Sequence, residues 1–224
     1  MSDTPNVWNG SPLVGTITMG GPVLPRMPTR EWNGLIIVGE APGAVEVAQG
    51  VPFSGPSGAL LSRILESVKV DRDATLICNT FSMQPAWTIR FDQETGLPKR
   101  VNNNIGAFFG RDDEDVNKRL PPRQNTYVRT GPDEDVRELW RLIKRHAPKA
   151  IITCGAIPTW ALTGQGPISA VAGTMLETKA TTAPVFPTFH PAYALHQQAE
   201  AIANAIAAHI AAAVRHVAGE GQVP

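Results

Sequence analysis

Four short, largely apolar segments read as strands, Leu35–Gly39, Ala74–Cys78, Ala150–Thr153 and Val185–Thr188, and the first of them is a continuous apolar run. A run of this length without polar interruption marks a strand buried on both faces. Between the runs the period changes to that of a helix. In Pro56–Val68, residues Leu60, Leu61, Ile64, Leu65 and Val68 recur on one face behind a Pro–Ser start. Asp133–His146 does the same with Val136, Leu139, Trp140, Leu142 and Ile143, Ile157–Leu162 predicts a short helix, and an Ala-rich helix runs from about Gln197 to Val217. Val171–Glu177 reads as an edge strand. Strands alternating with helices at these intervals require parallel crossovers. They predict an α/β fold, a three-layer α/β/α sandwich around a central, mainly parallel four-stranded sheet.

Two stretches lack such a period. Residues 1–30 are rich in Gly, Pro and Thr and read as a coil-rich extension. Residues 31–220 read as one domain, interrupted at 86–121 by a polar insertion with three consecutive asparagines and an acidic run at Asp112–Asp115. That is long for a loop in a compact domain and points to a functional segment.

Composition narrows the class. A length of 224 residues suits one well-buried α/β domain, and no run approaches the roughly 20 apolar residues of a membrane span. The first residues carry no basic region followed by an apolar core, so no secretory signal is expected. Cys78 and Cys154 are far apart, outside any Cys-x-x-Cys, and end predicted strands. They read as small core residues in a reducing, cytoplasmic compartment. A net charge of zero argues against holding nucleic acid by charge alone, although Lys and Arg concentrate between residues 63 and 129.

The candidate chemistry lies just past the strand ends. Gly39-Glu40-Ala41-Pro42-Gly43 lacks the endings of a phosphate or dinucleotide loop. Its Glu40 is placed to orient a water or to stabilise positive charge, unless it is an ordinary surface acid. Phe53, between Pro52 and Gly55, is placed to stack on a planar ligand or is a core aromatic. Asn79 has the donors and acceptor to read an imide edge. His190, ahead of Pro191, can hydrogen-bond an oxygen on which charge builds. Each signal alone is weak; their common place at the carboxyl ends of parallel strands makes one pocket of them.

These segments resemble the uracil-DNA glycosylase superfamily, and most of all its thermophile-type branch (family 4). That branch carries Gly-Glu-x-Pro-Gly, Gly-x-Pro-Phe-x-Gly-x-x-Gly-x-Leu-Leu, an Asn after the second strand and a His-Pro-Ala segment. Here they stand as Gly39–Gly43, Gly50–Leu61, Asn79 and His190-Pro191-Ala192, in order over residues 35 to about 196. The resemblance implies an enzyme of DNA repair, expected here to act without metal, and one compact domain with a DNA-facing mouth suggests a monomer. It would flip uracil, or a related damaged or modified base, out of DNA and hydrolyse its N-glycosidic bond. It implies that Phe53 stacks on the base, Asn79 reads its edge and His190 stabilises the departing anion. Glu40 would assist the water or the oxocarbenium-like sugar, with Glu46 as the rival acid. Ala41, Pro42 and Gly43 would meet the base through their backbone. Ser57 would contact the DNA, with Pro191, Ala192, Tyr193, Leu195 and His196 forming the wedge segment.

The chain also departs from that branch, whose iron–sulfur cluster needs four cysteines. Met83 stands where one of them is expected, and only two cysteines occur, at other positions. No cluster and no other cofactor is expected, and the 86–121 insertion is expected to organise the loop the cluster would brace. The basic residue of an Arg-Gly pair is replaced in Ala172-Gly173, and of an acid pair only Glu46 remains, before Val47. Two alternatives stay open: a superfamily member with little or no activity that binds DNA or a protein through the retained pocket, and an enzyme acting on a modified base or free nucleotide.

Overall fold

The computed structural model describes residues 18–91, 98–103, 105–195 and 199–219. Its centre is a four-stranded sheet of β1 (Leu35–Gly39), β2 (Leu76–Asn79), β3 (Ala150–Cys154) and β4 (Val185–Thr188). The spatial order is β4-β3-β1-β2, and every pair is parallel. The chain therefore leaves β1 toward one edge and returns past it to β3. The order reverses there, which opens a crevice beyond the carboxyl ends of β1 and β3.

Helices α1 (Ala44–Gln49), α2 (Pro56–Ser67), α3 (Pro132–His146), α4 (Ala156–Thr163), α5 (Ile168–Val171) and α6 (Ala199–Val217) complete the layers. Alternation along each strand splits the core into two. Leu35, Ile37, Ile77 and Ile152 pack with α2 and α6, whereas Ile36, Val38, Leu76 and Ile151 pack with α3 and α4. All five residues of β1 are buried, which accounts for its unbroken apolar run. Acids in the first turn of α3 and Lys144, Arg145 and His146 in its last complement the helix dipole.

The segment expected as a polar insertion has structure of its own. Trp87–Phe91 pairs antiparallel with Pro98–Asn103, and Phe109–Gly110 with Tyr127–Val128. Phe108 and Phe109 are buried against Phe81 and Trp160, with ring centroids 4.7 Å apart for Phe81–Phe108 and 5.2 Å for Phe109–Trp160. The Trp160 indole also donates to the carbonyls of Pro121 (3.2 Å) and Pro122 (3.1 Å). Isolated apolar residues in a polar stretch carry no period, so sequence pattern does not reveal this docking.

Two further boundaries differ from expectation. Asn79 is the last residue of β2 rather than the first beyond it. Val171–Glu177 is not an edge strand: it begins at the last residue of α5, folds back through the Thr174 amide to the Val171 carbonyl (3.1 Å), and contributes one isolated bridge, Leu176 to Val185. Upstream, Thr18–Gly20 pairs with Gln84–Pro85, and Arg26 bridges Ile77, covering the outer edge of β2.

Candidate active site at the carboxyl edge of the sheet

Beyond β1 the chain turns sharply. The Gly39 carbonyl accepts the amide and the hydroxyl of Thr80, both at 2.9 Å, and the Glu40 carbonyl accepts the Phe81 amide at 3.0 Å. β1 and β2 are thus tied together where Glu40 and Asn79 emerge. Glu46 on α1 reaches back with one carboxylate oxygen to the Gly43 amide (2.8 Å). With the other it accepts the Phe53 amide (2.5 Å) and the Asn79 side-chain amide (3.4 Å). This acid cross-braces three parts of the pocket.

Phe53 has φ +53, a left-handed conformation that costs a non-glycine residue about 1–3 kcal/mol unless its surroundings impose it. They do so from both sides. Glu46 takes its amide, and the Arg72 guanidinium donates to its carbonyl (2.9 Å) and more distantly to those of Pro52 (3.5 Å) and Gly58 (3.3 Å). Gly39 and Gly58 supply the space. A Cβ on Gly39 would lie 2.3 Å from the Asn79 carbonyl oxygen and 2.6 Å from the Phe53 ring, and one on Gly58 would lie 1.6 Å from the Phe53 carbonyl oxygen.

Arg72 was not distinguishable from other basic residues by sequence, because nothing in its spacing marks it. Replacing it by methionine keeps the length and removes the donors. The expected loss is about 2 kcal/mol, the scale of hydrogen bonds to a charged group, read as a lower urea midpoint together with weaker base excision. An unchanged midpoint with full activity would show that the Phe53 turn stands without it.

His190 enters from the end of β4. Its ring lies 5.8 Å from the Phe53 ring, centroid to centroid, inclined by 22°. Nδ1 accepts the Ala192 amide at 3.1 Å. In a neutral imidazole this leaves the proton on Nε2. Burial lowers the pKa to about 4, so the ring is neutral at physiological pH. Burial also raises the Glu40 carboxyl, and the Arg123 guanidinium opposes that rise. Among the described residues no hydrogen-bond donor reaches the Glu40 carboxylate.

Asn79, Phe53, His190, Glu46, Ala41 and Ser57 line a cavity of about 210 Å³. Sites for drug-sized ligands run to roughly 300–1,000 Å³, so this one suits a single flat ring. Larger cavities, of about 660 Å³ beside Leu24, Met27 and Asn79 and about 680 Å³ beside Trp140 and Lys179, include neither Phe53 nor His190. Of the expected backbone contacts, Pro42 has no N–H and the Gly43 amide is taken by Glu46, which leaves Ala41. Pro191–Leu195 forms a single 3-10 segment in which Pro191 is buried and Ala192 half-buried, while Tyr193 (65%) and Leu195 (43%) are exposed. His196 lies outside the described residues.

The residues present do not fit the iron–sulfur cluster that the resemblance implies. Cys78 and Cys154 are buried in strands separated by β1, and they belong to the cores on opposite faces of the sheet. Burial pushes both thiols up to about 12, against thiolate formation. The loop carrying Met83 is held instead by Asp135, which accepts the Ser82 amide (3.0 Å) and hydroxyl (2.8 Å). Among the described residues no His, Cys, Asp and Glu cluster is arranged for a metal ion, and no helix is long and apolar enough to cross a membrane.

The model of the family described as the uracil DNA glycosylase superfamily matches residues 33–215. Over 52 residues the chain is 44% identical to a type-4 uracil-DNA glycosylase of Pyrobaculum aerophilum. That stretch is 23% of this chain and 26% of the relative, so the match spans about a quarter of each.

Proposed function

This chain belongs to the uracil DNA glycosylase superfamily, and we propose that it extrudes uracil, or a closely related base, from DNA and hydrolyses the N-glycosidic bond. The observation that carries the reading is His190: a ring whose Nδ1 accepts the Ala192 amide, so that in the neutral imidazole Nε2 carries the proton, and which lines one base-sized cavity with Asn79 and Phe53. A base must leave the stack to reach such a cavity. Once there, Phe53 offers it an apolar face. Asn79, with one amide hydrogen on Glu46, keeps a donor and a carbonyl for an imide edge. As the glycosidic bond lengthens, negative charge moves onto the base oxygens, and the Nε2–H of His190 is a fixed dipole for it. The sugar gains oxocarbenium character, and Glu40 supplies the opposing charge and orients the water that attacks C1′. Glu46 serves as the brace, because both of its oxygens are already engaged. The exposed Tyr193 and Leu195 fill the space the base vacates in the duplex.

The test is single-turnover incubation with end-labelled oligonucleotides carrying uracil, single-stranded and opposite guanine or adenine, followed by alkali. Alkali-dependent breaks at the uracil support base excision. Intact strands in every context, with DNA still bound, would overturn it in favour of a binding protein.

Glu40 gives this reading a second check. Its carboxyl is raised by burial, so the folded state is favoured while Glu40 is protonated and loses stability as pH rises through the raised value. Glu40→Gln removes that penalty. The variant is expected to melt above the wild type near pH 7.5, the two curves converging below the ordinary value of 4.5, while excision falls about 10²-fold or more. A variant that melts lower at neutral pH would show that the carboxylate is structurally paired instead.

A further inference from the structure

Beside the base cavity three rings meet in succession, and the excision chemistry uses none of them. The Phe189 ring lies 6.1 Å from that of His209 on α6 and 6.5 Å from that of Tyr193, centroid to centroid, inclined by 41° and 25°. Aromatic pairs at such separations attract one another beyond the area they bury. Tyr193 is the exposed end of the series, and Phe189 and His209 are half-buried.

The inner end is fixed. Nδ1 of His209 shares a hydrogen bond of 3.0 Å with the buried hydroxyl of Thr188, whose carbonyl accepts the Gly155 amide at 2.8 Å. Gly173 closes on the same imidazole: a Cβ there would lie 2.7 Å from Nε2 and 2.9 Å from Cδ2. The Gly173 amide donates to the Pro187 carbonyl at 2.9 Å, which keeps that loop on β4. The outer end is tied to the site. The Tyr193 amide donates to the His190 carbonyl at 2.9 Å, and the Ala192 amide to His190 Nδ1 at 3.1 Å. The ring that lines the base cavity and the exposed ring of Tyr193 are therefore two ends of one turn.

We propose that Phe189 and His209 are positioning residues for Tyr193, holding its ring out as a wedge that favours duplex over single-stranded DNA. The proposal rests on the glycosylase reading of the same site. Extruding a base from a duplex breaks its stacking, and a flat ring placed in the gap recovers part of that loss. A single strand has little stacking to repair. A ring already oriented by its neighbours loses less rotamer freedom on insertion than one free in solvent.

Single-turnover excision is compared on single-stranded uracil oligonucleotides and on the duplex opposite guanine. Phe189→Leu keeps an apolar side chain and removes the ring. It is expected to slow the duplex reaction about threefold to tenfold, the scale of one aromatic pair, and to leave the single-stranded rate unchanged. Substitutions of His209 separate positioning from support. His209→Asn places a polar atom where Nδ1 stood and loses the ring, so it should melt near the wild type yet show the duplex-selective loss. His209→Phe keeps a ring beside Phe189 and loses the bond to Thr188; it should melt lower yet retain most of the duplex rate. Tyr193→Ala should lose at least as much on the duplex as Phe189→Leu, and combining the two should cost little more. An equal loss on both substrates overturns the proposal, as does a duplex rate that follows the melting temperature instead of the ring.

Insertion is also read without excision. A uracil on a 2′-fluoroarabino sugar resists hydrolysis, because the fluorine disfavours positive charge at C1′, and a neighbouring 2-aminopurine fluoresces more strongly as its stacking is lost. The wild type should brighten this duplex, and Phe189→Leu and His209→Asn should brighten it less. Equal brightening by all three overturns the proposal, and so does none by the wild type. A wild type that brightens the duplex more than these variants but excises no base defeats the functional reading alone.

Discussion

His190→Ala is expected to lower the single-turnover excision rate by about 10²–10³-fold, the usual effect of deleting one preorganised donor to a developing oxyanion. The protein should remain folded and melt cooperatively. The lost ring contact with Phe53 costs about 1 kcal/mol, since the two rings are 5.8 Å apart in a partly stacked arrangement. The pH dependence separates this from a general acid. With a folded pKa near 4 instead of 6.5, the imidazole stays neutral across the working range, so the wild-type rate should show no inflection near pH 6.5. Stability follows the same displacement with a definite sign. Below pH 6.5 the unfolded chain binds a proton that the folded chain refuses until about pH 4. The wild type therefore loses stability as pH falls through that window, and His190→Ala should lack that loss. Undiminished excision by the variant would remove His190 from the site.

Gly58→Ala should be among the most damaging single-methyl changes at the described residues. Its Cβ would lie 1.6 Å from the carbonyl oxygen of Phe53 and 2.2 Å from the carbonyl carbon. The obstacle is backbone, and this backbone cannot yield cheaply. Phe53 is already at φ +53, its amide is held by Glu46 and its carbonyl by Arg72. Either α2 moves outward or the Phe53 turn breaks. The expected cost is about 3 kcal/mol, the upper end for overpacking, with excision reduced at least as far as in His190→Ala. Ala59→Gly serves as the control one residue along. Position 59 is exposed, so that change should cost about 1 kcal/mol through helix propensity alone and leave excision intact. Wild-type stability in Gly58→Ala would mean that the close approach is not a feature of the folded protein.

Much of this arrangement is written locally. The runs at Leu35, Ala150 and Val185 could be assigned because a strand covered on both faces has no polar position to interrupt it. The helices at Pro56 and Pro132 could be assigned because each buries one stripe. Glu40, Asn79 and His190 followed from the same patterns, since a residue at the carboxyl end of a parallel strand must emerge at one edge of the sheet. Those periods belong to single elements and are complete within a dozen residues.

What escaped them depends on residues distant in sequence. The grip of Arg72 on Phe53 spans 19 positions, and the Asn79–Glu46 contact spans 33. The docking of Phe108 and Phe109 against Phe81 and Trp160 joins the inserted segment to the core. No repeat in the chain encodes such meetings. Their distances are set only when the crossovers close and the two cores pack. The sequence by itself determined the layers and the chemical groups at the edge of the sheet. Tertiary packing decided which acid is braced and which is left free, because those choices are hydrogen bonds meeting across the fold.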